Sequence, residues 1–170
     1  MDLGRLAARI HLISSNLANR SIDLLESQRV EILNGRGRFT SPNTAIATVD
    51  GSDIEIEFDV AVVSTGSAPR IPDWADVDGE RILTTRHAYN LRELPEHIVI
   101  IGSGVTGVEM VHIFESLGSK VTLLVSRQQV LPHKDAEVAA ALESEILERG
   151  IKLLKGARAE GIDLTEDGFW

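Results

Sequence analysis

Six consecutive residues carry the strongest chemical signal in the chain: Gly102, Ser103, Gly104, Val105, Thr106 and Gly107, spaced G-x-G-x-x-G. They follow an apolar run, Ile98 to Ile101, that reads as a strand, and they open a periodic stretch, Val105 to Leu117, that reads as a helix. In that setting the glycines have separate tasks: Gly102 turns the chain sharply, Gly104 leaves room for a pyrophosphate against the backbone, and Gly107 lets the helix pack closely on the strand. The free amides and positive end of the helix dipole then face an anion. A dinucleotide is the expected ligand. In such units an acidic residue about 20 positions on holds a ribose 2′-hydroxyl. Here no Asp or Glu stands between Ser116 and Lys134, and the strand Val121 to Val125 runs into Ser126 and Arg127. A neutral donor beside a cation suits a 2′-phosphate, which a carboxylate would repel. NADP(H) is therefore expected ahead of NAD(H).

Glu109, two residues past the last glycine, is expected in the first turn of the helix, either favouring its dipole or lying beside a nicotinamide. Glu109 and His112 form an E-x-x-H pair, but a di-metal bundle needs a second such pair on a facing helix, and the sequence has none. His11, His87, His97 and His133 read as surface or structural residues. Asp73, Asp76, Asp78 and Glu80 lack calcium-loop spacing. No metal site and no catalytic side chain is assigned.

The surrounding elements follow from periodicity. Leu3, Leu6, Ala7, Ile10, Ile13, Leu17 and Leu24 mark an amphipathic helix over residues 3 to 29, which needs something to lean on. A short strand Val30 to Leu33 is expected next, closed by Asn34-Gly35-Arg36-Gly37, then an antiparallel meander of Arg38 to Thr40, Ala45 to Val49 and Ile54 to Phe58, with a turn at Asp50-Gly51-Ser52. Val60 to Val63 reads as a strand covered on both faces, stopping at Ser64 to Pro69. A short helix is expected around Thr85 to Leu91. Beyond Pro95 the strand and helix already named are joined by the strand Val121 to Val125, a helix from Asp135 to Arg149 and a strand Ile151 to Leu154, a βαβαβ unit with a parallel sheet. Arg158 to Trp170 reads as the start of a hairpin turning at Asp167-Gly168. The fold class is α/β: residues 96–170 as a Rossmann-type NAD(P)-binding domain, 71–95 as a linker with a short helix, and 1–70 as a preceding domain with the meander.

Composition narrows the partners. The chain has 170 residues, 43% apolar and 25% charged, with no cysteine and a formal net charge of -9. No disulfide framework, thiolate zinc site or cysteine nucleophile can form within it, and a cytoplasmic setting is expected. An acidic chain without a basic tail is a poor match for nucleic acid. No apolar run approaches the roughly 20 residues of a membrane helix, so no membrane association is expected.

Taken in order, Val62 to Pro69, Leu94-Pro95, His97 to Ile101, Gly102 to Glu109, Val130-Leu131-Pro132, Asp135 and Glu148 to Ile151 resemble the pyridine nucleotide-disulfide oxidoreductases. The stretch Gly104 to Glu109 is most similar to the lipoamide-dehydrogenase-like NAD(P)H:quinone reductases. The resemblance implies an FAD- and NAD(P)H-dependent flavoprotein passing hydride from NAD(P)H to flavin and then electrons to a disulfide, quinone or nicotinamide acceptor. By position it implies that Gly102 to Gly107 hold the NAD(P) pyrophosphate and that Glu109 lies near the nicotinamide and flavin rings. Val125 stands where NAD-dependent members carry their ribose-binding acid. Thr65, Gly66 and Ser67 match an FAD-contacting segment, and Gly37 a backbone position near the adenine, so that residues 1–70 correspond to the C-terminal part of an FAD-binding domain. The resemblance covers about the middle third of a family member. It implies homodimeric parents, whereas the FAD fingerprint, redox cysteines and dimerisation domain have no counterpart here. The expectation is thus a fragment not competent alone, with weak FAD retention. The alternatives are a non-catalytic NADP(H)-binding module and an enzyme reassembled from separately encoded pieces.

Overall fold

The computed structural model describes residues 2–165 and 168–169. The chain falls into two compact units, one spanning Leu6–Ala68 and the other running from Pro69 and taking in residues 2–5 as well.

The first unit is dominated by α1 (Leu3–Ser27). The Asp2 carboxylate accepts a hydrogen bond from the Arg5 amide at its start. At its end Arg29 turns left-handed, with φ 62°, and the Val30 amide donates back to the Leu25 carbonyl. The apolar stripe that defines the helix is present but bare: no residue of α1 is buried, and Ile13, Leu17 and Leu24 are exposed. The meander follows as β1 (Arg36–Ser41), β2 (Thr44–Val49) and β3 (Ser52–Glu57), paired antiparallel in that order. Val49 pairs with Ser52, so β2 and β3 are joined by the two-residue turn Asp50-Gly51. Both turn residues have positive φ, which matches the twist of the flanking strands. The turn expected at residues 34–37 ends sooner, because Arg36 and Gly37 already pair with Thr48 and Ala47.

Two expected strands are not strands. Val30 to Leu33 is irregular, and so is Val60 to Val63, where Val60 is 81% and Val62 88% exposed. A strand is defined by a neighbour that takes up its amides and carbonyls, and neither run finds one among the described residues. Apolar β-branched residues supply propensity, but not the ladder.

The second unit contains α2 (Thr85–Ala88), shorter than expected, and then β4 (His97–Ile101), α3 (Val105–Leu117), β5 (Lys120–Val125), α4 (Ala136–Glu148) and β6 (Lys152–Lys155). The three strands form a parallel sheet in the order β4-β5-β6. Both helices have clear stops and starts. Gly118 ends α3 at φ 106°, with the Ser119 amide donating to the Phe114 carbonyl, and the Asp135 carboxylate caps α4 by accepting from the Glu137 and Val138 amides. Met110, Val111 and Phe114 of α3 and Ala139 and Ile146 of α4 share one buried cluster with Ile100, Val121, Leu123 and Val125 of the sheet. The helices therefore cover the same sheet face. On the other face of β4, Val99 and Ile101 are each about half exposed. Near the end of the chain β7 (Leu164–Thr165) and β8 (Gly168–Phe169) pair antiparallel. Of the turn expected between them, Asp167 lies outside the described residues.

Candidate dinucleotide site

Parallel pairing brings two of the expected segments to the same sheet edge. Ile101 lies beside Leu124 in the β4–β5 register, and the Gly102 amide donates to the Leu124 carbonyl at 3.1 Å. The loop Gly102 to Gly107 and the residues Val125, Ser126 and Arg127 thus share the carboxyl edge of the sheet, where open α/β sheets bind ligands.

Within the loop, Gly102 has φ 118°, a conformation closed to side chains. Gly104 is the N-cap of α3 and offers no side chain to its amides; the first helical bond is donated by Val108 to the Gly104 carbonyl at 3.1 Å. The amides of the first turn precede that ladder and point toward the loop mouth. A Cβ built on Gly104 meets only open space, whereas one built on Gly107 overlaps the Gly102 carbonyl oxygen. Gly107 is therefore the point where helix and turn touch. Ser103 is buried, while Val105 and Thr106 are exposed at the helix start. A helix start with free amides and no carboxylate in its first turn is what a pyrophosphate requires.

Glu109 sits elsewhere than expected. Because α3 begins at Val105, ahead of the last glycine, Glu109 falls in the second turn, and the first turn holds no acid. Its side chain is exposed, and the dipole term that acts within the first turn is small there. At the other side of the edge Val125 is fully buried in the core cluster and presents nothing polar, while Ser126 and Arg127 are exposed. Their side chains put a hydroxyl and a guanidinium at this edge. Gly37, in β1, and Thr65, Gly66 and Ser67, in irregular chain, belong to the unit Leu6–Ala68 and are exposed. Among the described residues no cluster of three or more His, Asp or Glu side chains could hold a metal.

One residue at this edge carried no sequence signal. Glu143 of α4 is largely buried; it accepts from the Val130 amide at 2.9 Å and from Lys155 Nζ at 2.7 Å. Burial alone would raise its carboxyl, but the Lys155 ammonium and the Val130 amide outweigh it and hold the group below its ordinary value. A carboxylate depressed in the fold stabilises the protein above the ordinary Glu value of about 4.3, and that contribution is lost as pH falls through the lower folded value. Denaturant midpoints of the wild type and Glu143→Gln are accordingly expected to differ near neutral pH and to converge in acid. Parallel curves across the whole range would contradict the ion pair.

Comparison with known proteins gives a consistent result. Residues 5–168 match the family described as pyridine nucleotide-disulphide oxidoreductase. The chain is similar to an NAD(P)H dehydrogenase (quinone) of Mycobacterium tuberculosis, 39% identical over 99% of this chain and 36% of that protein. It is also similar to a dihydrolipoyl dehydrogenase of Chlorobaculum tepidum, 32% identical over 98% of this chain and 36% of that protein. Among solved structures, LpdA from Mycobacterium tuberculosis superposes with a TM-score of 0.88 at 40% identity, over 99% of this chain and 38% of that one. The chain spans little more than a third of the length of these relatives. No helix among the described residues is long and apolar enough to cross a membrane.

Proposed function

Because the chain belongs to the pyridine nucleotide-disulphide oxidoreductase family, we propose that it supplies the NAD(P)H-binding part of an FAD- and NAD(P)H-dependent oxidoreductase acting on a disulfide, quinone or nicotinamide acceptor. The observation that carries this reading is the uncapped first turn of α3, closed against Gly102 at Gly107 and open at Gly104, beside Arg127 on the same sheet edge. In this reading the amides of Gly104 to Gly107 bind the pyrophosphate. Ser103 anchors the loop to the segment after β5, because its carbonyl accepts from the Leu131 amide at 2.7 Å. Ser126 donates to, and Arg127 neutralises, a 2′-phosphate, and Glu109, one turn up the helix, faces the nicotinamide end. The nicotinamide, when bound, supplies the hydride; this chain orients it and assigns no side chain to the chemistry.

The flavin side is partial. Gly37, Thr65, Gly66 and Ser67 would line FAD, but the sequence holds a single G-x-G-x-x-G, and that one belongs to α3. On this reading residues 1–70 are part of an FAD-binding domain, 71–95 a linker and 96–170 the NAD(P)-binding domain, the chain is incomplete as a catalyst, and its setting is cytoplasmic.

Titration of the purified chain with NADPH, NADH and FAD tests this directly. Tighter binding of NADPH than NADH is expected, with flavin lost on desalting. Arg127→Ala is expected to weaken NADPH about tenfold, the scale of a lost charge-assisted hydrogen bond, and to leave NADH nearly unchanged. Equal affinities in the wild type, or a preference that survives Arg127→Ala, would overturn the specificity assignment. Retained flavin that bleaches with NADPH would show a chain competent alone. Binding of NADP(H) with no electron transfer even when FAD is supplied in excess would favour a non-catalytic binding module.

A further inference from the structure

The segment between β5 and α4 is held from two sides by one carboxylate. On one side Glu143 accepts from the Val130 amide, and Val130 itself is fully buried. The next residue, Leu131, is left-handed at φ 47°, a costly conformation for a leucine, and its amide donates to the Ser103 carbonyl of the glycine loop. On the other side Glu143 pairs with Lys155 at the end of β6. The residues after Lys155 fasten the specificity segment: the Gly156 amide donates to the Arg127 carbonyl at 3.0 Å, and the Ala157 amide to the Val125 carbonyl at 3.2 Å. Ser126 and Arg127 are thereby bracketed by two ties that meet at Glu143.

We propose that Glu143 is a positioning residue for coenzyme selection, fixing Arg127 through Lys155 and the glycine loop through Val130 and Leu131. The inference rests on the function proposed above. It locates the control of NADP(H) preference in α4, on a side chain that touches no coenzyme. With the ties intact Arg127 is presented from a fixed backbone; with them cut its cation is only one of many on a moving loop, and the 2′-phosphate loses its advantage.

The test uses the full chain with Glu143→Leu, Glu143→Gln and Lys155→Met, each titrated with NADPH and NADH and followed by amide hydrogen exchange. Glu143→Leu is expected to weaken NADPH roughly five- to thirtyfold, the range set by one lost buried charged partner, and to shrink the NADPH-to-NADH preference. Glu143→Gln keeps an acceptor for Val130 but loses the ion pair with Lys155, and is expected to fall between Glu143→Leu and the wild type in NADPH affinity and preference. Lys155→Met leaves the Val130 tie, and is expected to lower the preference and to speed exchange at Gly156 and Ala157. If Glu143→Leu does not fold, the other two variants decide. Preference and exchange at wild-type levels in both Glu143→Gln and Lys155→Met overturn the inference, as does a folded Glu143→Leu that keeps the wild-type preference. A wild type that binds neither coenzyme overturns the function proposed above instead; in that case accelerated exchange at Val130, Leu131 and Gly156 in the variants upholds the ties, and unchanged exchange rejects them.

Discussion

Gly107→Ala is expected to abolish coenzyme binding and to destabilise the unit from Pro69 onward by about 3 kcal/mol, the upper part of the range for overpacking a rigid site. The added methyl would overlap the Gly102 carbonyl oxygen, a backbone atom that cannot swing aside as a flexible side chain could. Relief requires α3 to move off the turn, which takes the first-turn amides with it. Gly104→Ala gives the contrast. Its Cβ enters open space and its φ of -71° suits any residue, so it should fold like the wild type while blocking the approach of a pyrophosphate. Thermal unfolding and NADPH titration of the two variants separate these effects. A Gly107→Ala protein with wild-type melting and binding would show that the turn and helix do not touch as described.

Phe114→Ala is expected to cost about 3–5 kcal/mol, as large-to-small changes at buried aromatics do. Phe114 is 2% exposed and sits on the face of α3 that meets the sheet, in the cluster with Leu123, Val125 and Val130. Domains of this size hold only about 5–15 kcal/mol in total, so the melting temperature should drop by more than about 10 °C. Saturating NADPH should restore part of the loss, because a ligand that binds only the folded form stabilises it by mass action. A drop of only a degree or two in differential scanning fluorimetry would argue against this core.

Where sequence and structure agree, a residue pattern and its partner lie in the same stretch. α3 runs over the expected Val105–Leu117 because the glycine ahead of it, the apolar spacing within it and Gly118 behind it all agree. The parallel sheet was legible because three apolar runs alternate with two helical ones. Val60 to Val63 has the residues of a buried strand, but burial and pairing are supplied by other chain segments, and composition cannot say whether they are there. Glu109, expected in the first turn because it stands two residues past the last glycine, opens the second, since the turn that starts at Val105 is complete at Val108. Glu143 was invisible for another reason. Its partners are 13 residues before and 12 after it, on a loop and a strand, and no local spacing encodes a contact made by tertiary packing.

The bare stripe of α1 has a calorimetric consequence. Heat capacity rises on unfolding because apolar surface becomes newly hydrated, and a 25-residue helix with no buried residue has little left to hydrate. Such a helix melts by fraying, gradually, as helix–coil transitions of peptides do, instead of joining the sharp transition of a packed core. Ellipticity at 222 nm would therefore begin to fall well before the heat-absorption peak of the β4–β6 sheet. The two signals would not superpose, and a single fitted unfolding enthalpy would describe neither part of the chain.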